Sequence, residues 1–218
     1  MYWRVVMVLT FLIGTGAATT AHAVGVTTYG TGLKTCGAYL DAREQQNADE
    51  VAFVDWLSGY LSGVNATSIR TNNILGDSNL KGAVYWVGKY CRAHPTTPFS
   101  AAAFALLMGA SASTATHGAQ ATTYGTGFKS CETYLDAREL RNTDEMAFVD
   151  WLGGYLSGVN AISKSTSNIL GTSDLTGAIY WLDNYCREHS PARFAAAADA
   201  RVAAGITAVA EATPPSRR

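Results

Sequence analysis

Residues 55–66 spell DWLSGYLSGVNA, and residues 150–161 spell DWLGGYLSGVNA. The same offset of 95 aligns residues 27–94 with 122–189 without a gap, and 47 of those 68 positions are identical. TTYGTG, YLDARE and NIL recur unchanged. A chain of 218 residues built this way is a tandem pair of one unit, each copy about 80–90 residues long, and two copies are too few for a solenoid. Each unit must therefore solve its own folding problem, and both must do so in nearly the same way.

The duplication reaches back before the aligned blocks. FLIGTGAATTAHAVGV at 11–26 lies over LLMGASASTATHGAQA at 106–121. Residues 1–23 have the form of a secretory signal peptide: Arg4, an apolar run from Val5 to Ile13, and AHA at 21–23, with cleavage expected after Ala23. That run is too short for the roughly 18–20 residues that span a bilayer, so no stable membrane anchor is expected. Residues 109–121, with an A-x-A triplet at Ala119–Ala121, read as a linker descended from a second signal sequence. The expected organisation is a first unit over 24–108, this linker, a second unit over 122–203 and a flexible tail over 204–218.

Export makes disulfides the natural use of four cysteines. Three pairings are open to four cysteines, and the duplication selects one, because each unit must have been able to fold with its own pair. Cys36 is expected to join Cys91, and Cys131 to join Cys186. Each bond closes about 55 residues, worth about 4 kcal/mol on the chain-entropy estimate. A metal site is disfavoured by the absence of C-x-x-C, and only His94 and His189 lie nearby.

The apolar spacing is helical throughout, without the alternation of strands. Cys36, Tyr39, Leu40 and Arg43 set a first helix in LKTCGAYLDARE. Asn47 and Asn142 open a second, with Glu50 and Glu145 placed to reach back in a capping box. That helix should run to about Ala66. Ile74 and Leu75 sit in the following loop and are expected to fold back onto the core. Asp77 or Ser78 would cap a third helix carrying Leu80, Ala83, Val84, Val87, Tyr90 and Cys91. A fourth helix starts near Pro98 and Pro191. The fold class is all-α, with two tandem bundles of about four helices and one internal disulfide in each.

Gly59 and Gly63, repeated as Gly154 and Gly158, interrupt the second helix at a cost of about 0.5–1 kcal/mol each. Close approach of another backbone would offset that cost. The favoured partner is helix 3 of the same unit; the alternative is a groove for a partner protein. Trp56, Tyr60, Tyr85 and Trp86, with Trp151, Tyr155, Tyr180 and Trp181, are core residues or candidate partner-binding anchors. Tyr85 and Trp86 point about 100° apart, so one of them should be exposed. Asn65 and Asn160 are expected to cap the C-terminus of helix 2.

Catalytic patterns are missing. GYLSG is not the G-x-S-x-G elbow, and GTGLK follows no strand, so it is not a phosphate loop. Asp55 and Asp150 read as the wet face of an amphipathic helix. No catalytic residue and no cofactor or metal is expected. A net charge of -1 gives no footprint for nucleic acid. The aligned segments carry six basic and six acidic groups in the first copy, five and nine in the second, which suggests one scaffold with two different surfaces.

TCGAYL or SCETYL, then FVDWLSGYLSGV, then WLDNYC resembles two groups of small exported helical proteins. One is the HdeA-type acid-stress chaperones; the other is the Tai-type immunity proteins that neutralise cell-wall amidases delivered by type VI secretion. The resemblance spans about 33–108 and 128–200. It implies a periplasmic, disulfide-bonded, non-enzymatic protein whose partner is a protein, either a secreted effector (favoured) or an unfolded client. A structural envelope protein is a third reading. Both groups tend to dimerise; here the two fused units can pair within one chain, and a dimer of whole chains is the alternative.

Overall fold

A computed structural model of the chain describes residues 25–109 and 120–212. The expected signal peptide, most of the linker and residues 213–218 lie outside the described residues. What is described is helical. The first unit contains α1 (Cys36–Gln45), α2 (Ala48–Thr67), α3 (Leu80–Ala93) and α4 (Phe99–Gly109). The second contains α5 (Cys131–Leu140), α6 (Thr143–Ile162), α7 (Leu175–Glu188) and α8 (Phe194–Ala212). A single 3-10 turn precedes each set, at Gly30–Leu33 and Gly125–Phe128. The helix α8 runs through residues 204–212, which the sequence reading assigned to a flexible tail.

The disulfides are Cys36–Cys91 and Cys131–Cys186, as the duplication requires. Each ties the first helix of a unit to its third. Behind each bond lies an aromatic cluster: Tyr39, Phe53 and Phe99 in one unit, Tyr134, Phe148 and Phe194 in the other. Phe99 and Phe194 open α4 and α8, so the fourth helix is anchored by its first residue in both units.

The caps differ in detail from expectation. Asn47 and Asn142 do cap α2 and α6, accepting from the backbone N–H of Asp49 and Asp144. The capping box does not close: the Asn47 N–H goes instead to the Ala42 carbonyl, and Glu145 is drawn to Arg138. The helices α3 and α7 are capped by Asn79 and Asp174, not by Asp77 or Ser78. Asn79 holds the position immediately before the helix, where its oxygen reaches the Gly82 N–H.

The main correction concerns the glycines. Their partner is not helix 3 of the same unit but the glycine helix of the other unit. A methyl group built on Gly59 would lie 1.9 Å from the Trp151 carbonyl oxygen, and one on Gly63 would lie 2.2 Å from that of Tyr155. Reciprocally, Gly154 faces the Trp56 carbonyl at 1.9 Å and Gly158 that of Tyr60 at 2.1 Å. The register advances in the same direction on both helices, so α2 and α6 run parallel about a pseudo-two-fold axis. Theirs is the most extensive helix–helix contact in the molecule.

Gly153, the neighbour of Gly154, supplies a control. A methyl group there would meet only ordinary contacts, the nearest at 3.5 Å, and the first unit already carries Ser58 at the equivalent position. Gly153→Ala should be neutral or stabilising by up to about 1 kcal/mol through helix propensity. Gly154→Ala must push two backbones apart and should cost about 3 kcal/mol or more. Urea denaturation midpoints of the two variants, compared with the parent chain, check this.

Candidate functional site: the unit interface and the cleft on its axis

The interface is closed by two exchanged arms, each a copy of TTYGTG. The arm of the first unit lies on the second: the Thr27 N–H donates to the Ser167 carbonyl, the Tyr29 N–H to Ser157 Oγ, and the Thr31 hydroxyl to Asp150. Asn160 Nδ2 donates to the Thr27 carbonyl, and the Tyr29 hydroxyl to Asn168. The second arm repeats these bonds on the first unit: Thr122 to Asn72, Tyr124 to Ser62 and Asn73, Thr126 to Asp55, and Asn65 to Thr122. Each arm is also held from its own side. Trp56 Nε1 donates to the Tyr29 carbonyl and Trp151 Nε1 to the Tyr124 carbonyl, both at 2.8 Å. Tyr29 thereby belongs to the core of the second unit.

Several expected roles change with this geometry. Trp56, Tyr60, Trp151 and Tyr155 are not partner-binding anchors: all four are buried, stacked in pairs beneath the arms and the helix contact. Asn65 and Asn160 are not C-caps. Each accepts from the loop at Ile74 or Ile169 while its amide holds the opposite arm. Asp150 is buried and Asp55 half-buried, each bonded to an arm threonine, so neither is a wet-face carboxylate. Tyr85 and Tyr180 are the more exposed members of their pairs, at 62% and 69%, and Trp86 is exposed as well. Trp86 and Trp181 stack on Tyr90 and Tyr185.

At the C-terminal ends of α2 and α6 the axis opens into a cleft of about 650 Å³. Its floor is Val64, Val159, Ile74 and Ile169. Ile69, Met108 and Ile206 stand at its edge and are among the most exposed large apolar side chains of the molecule, Ile69 at 88%. Arg70 and Lys164 are its charged residues among the described ones, and no described carboxylate lines it. Neither cation forms an ion pair among the described residues.

Ile74 packs against the core as its apolar character predicts, while the cleft it lines is not evident from helical periodicity. A signal for it existed. Residues 59–66 are identical in the two copies, whereas 67, 69, 70 and 72 all differ from 162, 164, 165 and 167. Thr67 replaces Ile162, Ile69 replaces Lys164, and Arg70 replaces Ser165. Each unit thus gives the rim one cation and one extra isoleucine, at different places.

Among the described residues no group of three or more histidine, cysteine, aspartate or glutamate side chains could hold a metal ion, and no helix is long and apolar enough to cross a membrane. The disulfides place the folded chain in an oxidising, exported setting. Compared with models of protein families, with curated proteins and with solved structures, the chain finds no match.

The interface carboxylates have a definite electrostatic sense. Burial pushes Asp55 up to about 6, against the pull of the Thr126 hydroxyl and of Lys129; Asp150 and Asp144 push in the same direction as burial. Burial also raises Asp150, against Thr31 and Lys34, with Asp49 adding to the rise. A carboxyl whose folded value exceeds its unfolded value near 3.9 holds its proton more tightly when folded. Its contribution is complete below about pH 4 and is lost as pH rises through 6. Between pH 7 and 4.5 the parent chain should gain stability on the order of 1 kcal/mol, after allowance for solvent screening of the half-buried Asp55. Asp55→Asn should flatten that rise. Denaturation midpoints measured across this range check the sign.

Proposed function

We propose that this chain is a non-enzymatic periplasmic binding protein of the immunity or inhibitor kind, and that it captures an apolar, acid-flanked segment of a secreted protein in the axial cleft. The observation that carries this reading is the rim: exposed Ile69, Met108 and Ile206 beside Arg70 and Lys164, which have no ion pair among the described residues, with no carboxylate among the described lining residues. An apolar anchor gains from desolvation there, and acidic flanks answer the two cations. The two-fold symmetry of the helices is broken at the rim, which suits a single asymmetric segment rather than a second copy of this chain.

An acid-activated chaperone is the other reading that the sequence resemblance supports. It needs the unit interface to loosen as carboxylates take up protons. The interface carboxylates run the other way, because Asp55 and Asp150 favour the closed arrangement when protonated. This favours the inhibitor reading.

A cell-wall amidase exported into the same periplasm provides the test. Co-expression of the whole chain should rescue growth. Ile69→Asp combined with Met108→Asp should abolish rescue, with the helical circular dichroism and both disulfides unchanged, since both side chains are exposed. Rescue that survives the double substitution would remove the cleft from the function. Lack of rescue by the parent chain, with suppression of client aggregation near pH 2–3, would turn the assignment to a chaperone.

A further inference from the structure

The two units differ in a consequential way where the first helix meets the third. In the second unit Tyr134, Arg138 and Asp183 form a closed set. Arg138 grips Asp183 with two prongs, Nε to Oδ1 at 3.1 Å and Nη2 to Oδ2 at 2.9 Å. The Tyr134 hydroxyl donates to the same Oδ1 at 2.6 Å. Glu145 completes the set by pairing with the remaining Nη1.

The first unit keeps the donors and lacks the acceptor. Tyr39 and Arg43 stand where Tyr134 and Arg138 stand, but Gly88 replaces Asp183. Arg43 Nη1 donates to the Tyr39 hydroxyl at 3.0 Å, and this is the only hydrogen bond of either side chain among the described residues. Tyr39 is 1% exposed, and its own hydroxyl proton has no acceptor there. Glu50, the counterpart of Glu145, forms no ion pair with Arg43. The guanidinium lies over bare backbone: a methyl group on Gly88 would come within 2.8 Å of Arg43 Nη1, the mobile end of a flexible side chain. The surrounding charge has changed to match. The helix α3 carries Lys81, Lys89 and Arg92 and no acid, whereas α7 carries Asp183 and Glu188 against Arg187.

We propose that Tyr39 and Arg43 form a receptor for an external carboxylate, seated over Gly88 as the Asp183 side chain is seated on Tyr134 and Arg138. The sibling unit displays the bound geometry with its own aspartate as ligand. Two parallel N–H donors from one guanidinium and one phenol proton match the two oxygens of a carboxylate. The replacement of an aspartate by a glycine removes the built-in ligand, and Arg43 Nη1, which lies over Gly88 in its absence, swings aside to admit an external one. None of these residues lines the axial cleft, so the site is independent of the function proposed above.

The test uses the full chain with both disulfides formed. The Nε–Hε signals of its arginines are followed by NMR during titration with sodium acetate, ionic strength being held constant with sodium chloride. Arg43 should shift saturably, while Arg138, already occupied, stays in place. Gly88→Asp should abolish the Arg43 response and move its signal toward that of Arg138. Tyr39→Phe, a milder change that keeps the ring in the core, should weaken the response by about threefold or more through loss of one charge-assisted hydrogen bond. Equal shifts of Arg43 and Arg138, or an undiminished response in Gly88→Asp, would overturn the proposal. A capped peptide with one glutamate among apolar residues then replaces acetate. Saturation at least about tenfold lower in concentration assigns the carboxylate to a protein side chain; saturation at the same concentration assigns it to small carboxylic acids.

Discussion

The backbones of α2 and α6 touch. Four glycines remove the side chains that would otherwise hold the helices about 8–10 Å apart, and the carbonyls of Trp56, Tyr60, Trp151 and Tyr155 occupy the space released. Most of the other features of the interface follow from that approach. Because the contact is parallel, both helices end on the same side, and their ends frame the cleft. Because it lies on the axis, the aromatic side chains that flank the glycines are pushed outward into their own units. There Trp56 and Trp151 become the largest buried side chains and hold the arms.

Parallel helices align their dipoles side by side, an unfavourable arrangement. Packing at four glycines has to outweigh it, and the arms supply the rest. Ser62 and Ser157 each donate to a carbonyl of their own helix and accept an N–H from the opposite arm. The hydroxyls of Thr31 and Thr126 reach Asp150 and Asp55 across the interface, so two carboxylates are desolvated next to neutral donors. Neutral donors do not repay the desolvation of a charge. That is why both carboxyls are raised, and why proton uptake strengthens the closed arrangement.

Much of this was legible in the residues. Helical period, the Asn47 and Asn142 caps and the two disulfides all rest on local spacing or on the offset of 95, and both survive translation into three dimensions. The glycines were legible as a close contact but not as a contact between units, because periodicity says which face of a helix is bare and not what covers it. Asp55, Asn65, Ser62 and the TTYGTG arm share the same difficulty. Each is polar or small, each looks exposed within its own unit, and each finds a hydrogen-bond partner on the other copy. The unbroken identity of TTYGTG was the available clue, since a mere leader segment has no reason to resist drift. The cleft was hidden for the opposite reason: its rim residues are the ones the copies do not share.

Identical chains paired by a two-fold axis must present the same residue twice. The glycine contact and both arms are made twice here and would suit two identical units equally well. Joining the units in one chain lifts that constraint wherever the surface does not take part in the interface. The differences at the cleft and at position 88 fall in those places, although the interface itself carries one at Ser58 and Gly153. Residues 67–72 and 162–167 diverge around the cleft mouth, so its two halves are chemically unlike. Position 88 is glycine in one unit, while the equivalent 183 is an aspartate already engaged by its own arginine. Four shared glycines and two shared arms hold together two surfaces that differ, and an asymmetric partner is the kind of ligand that such an arrangement can read and a symmetric dimer cannot.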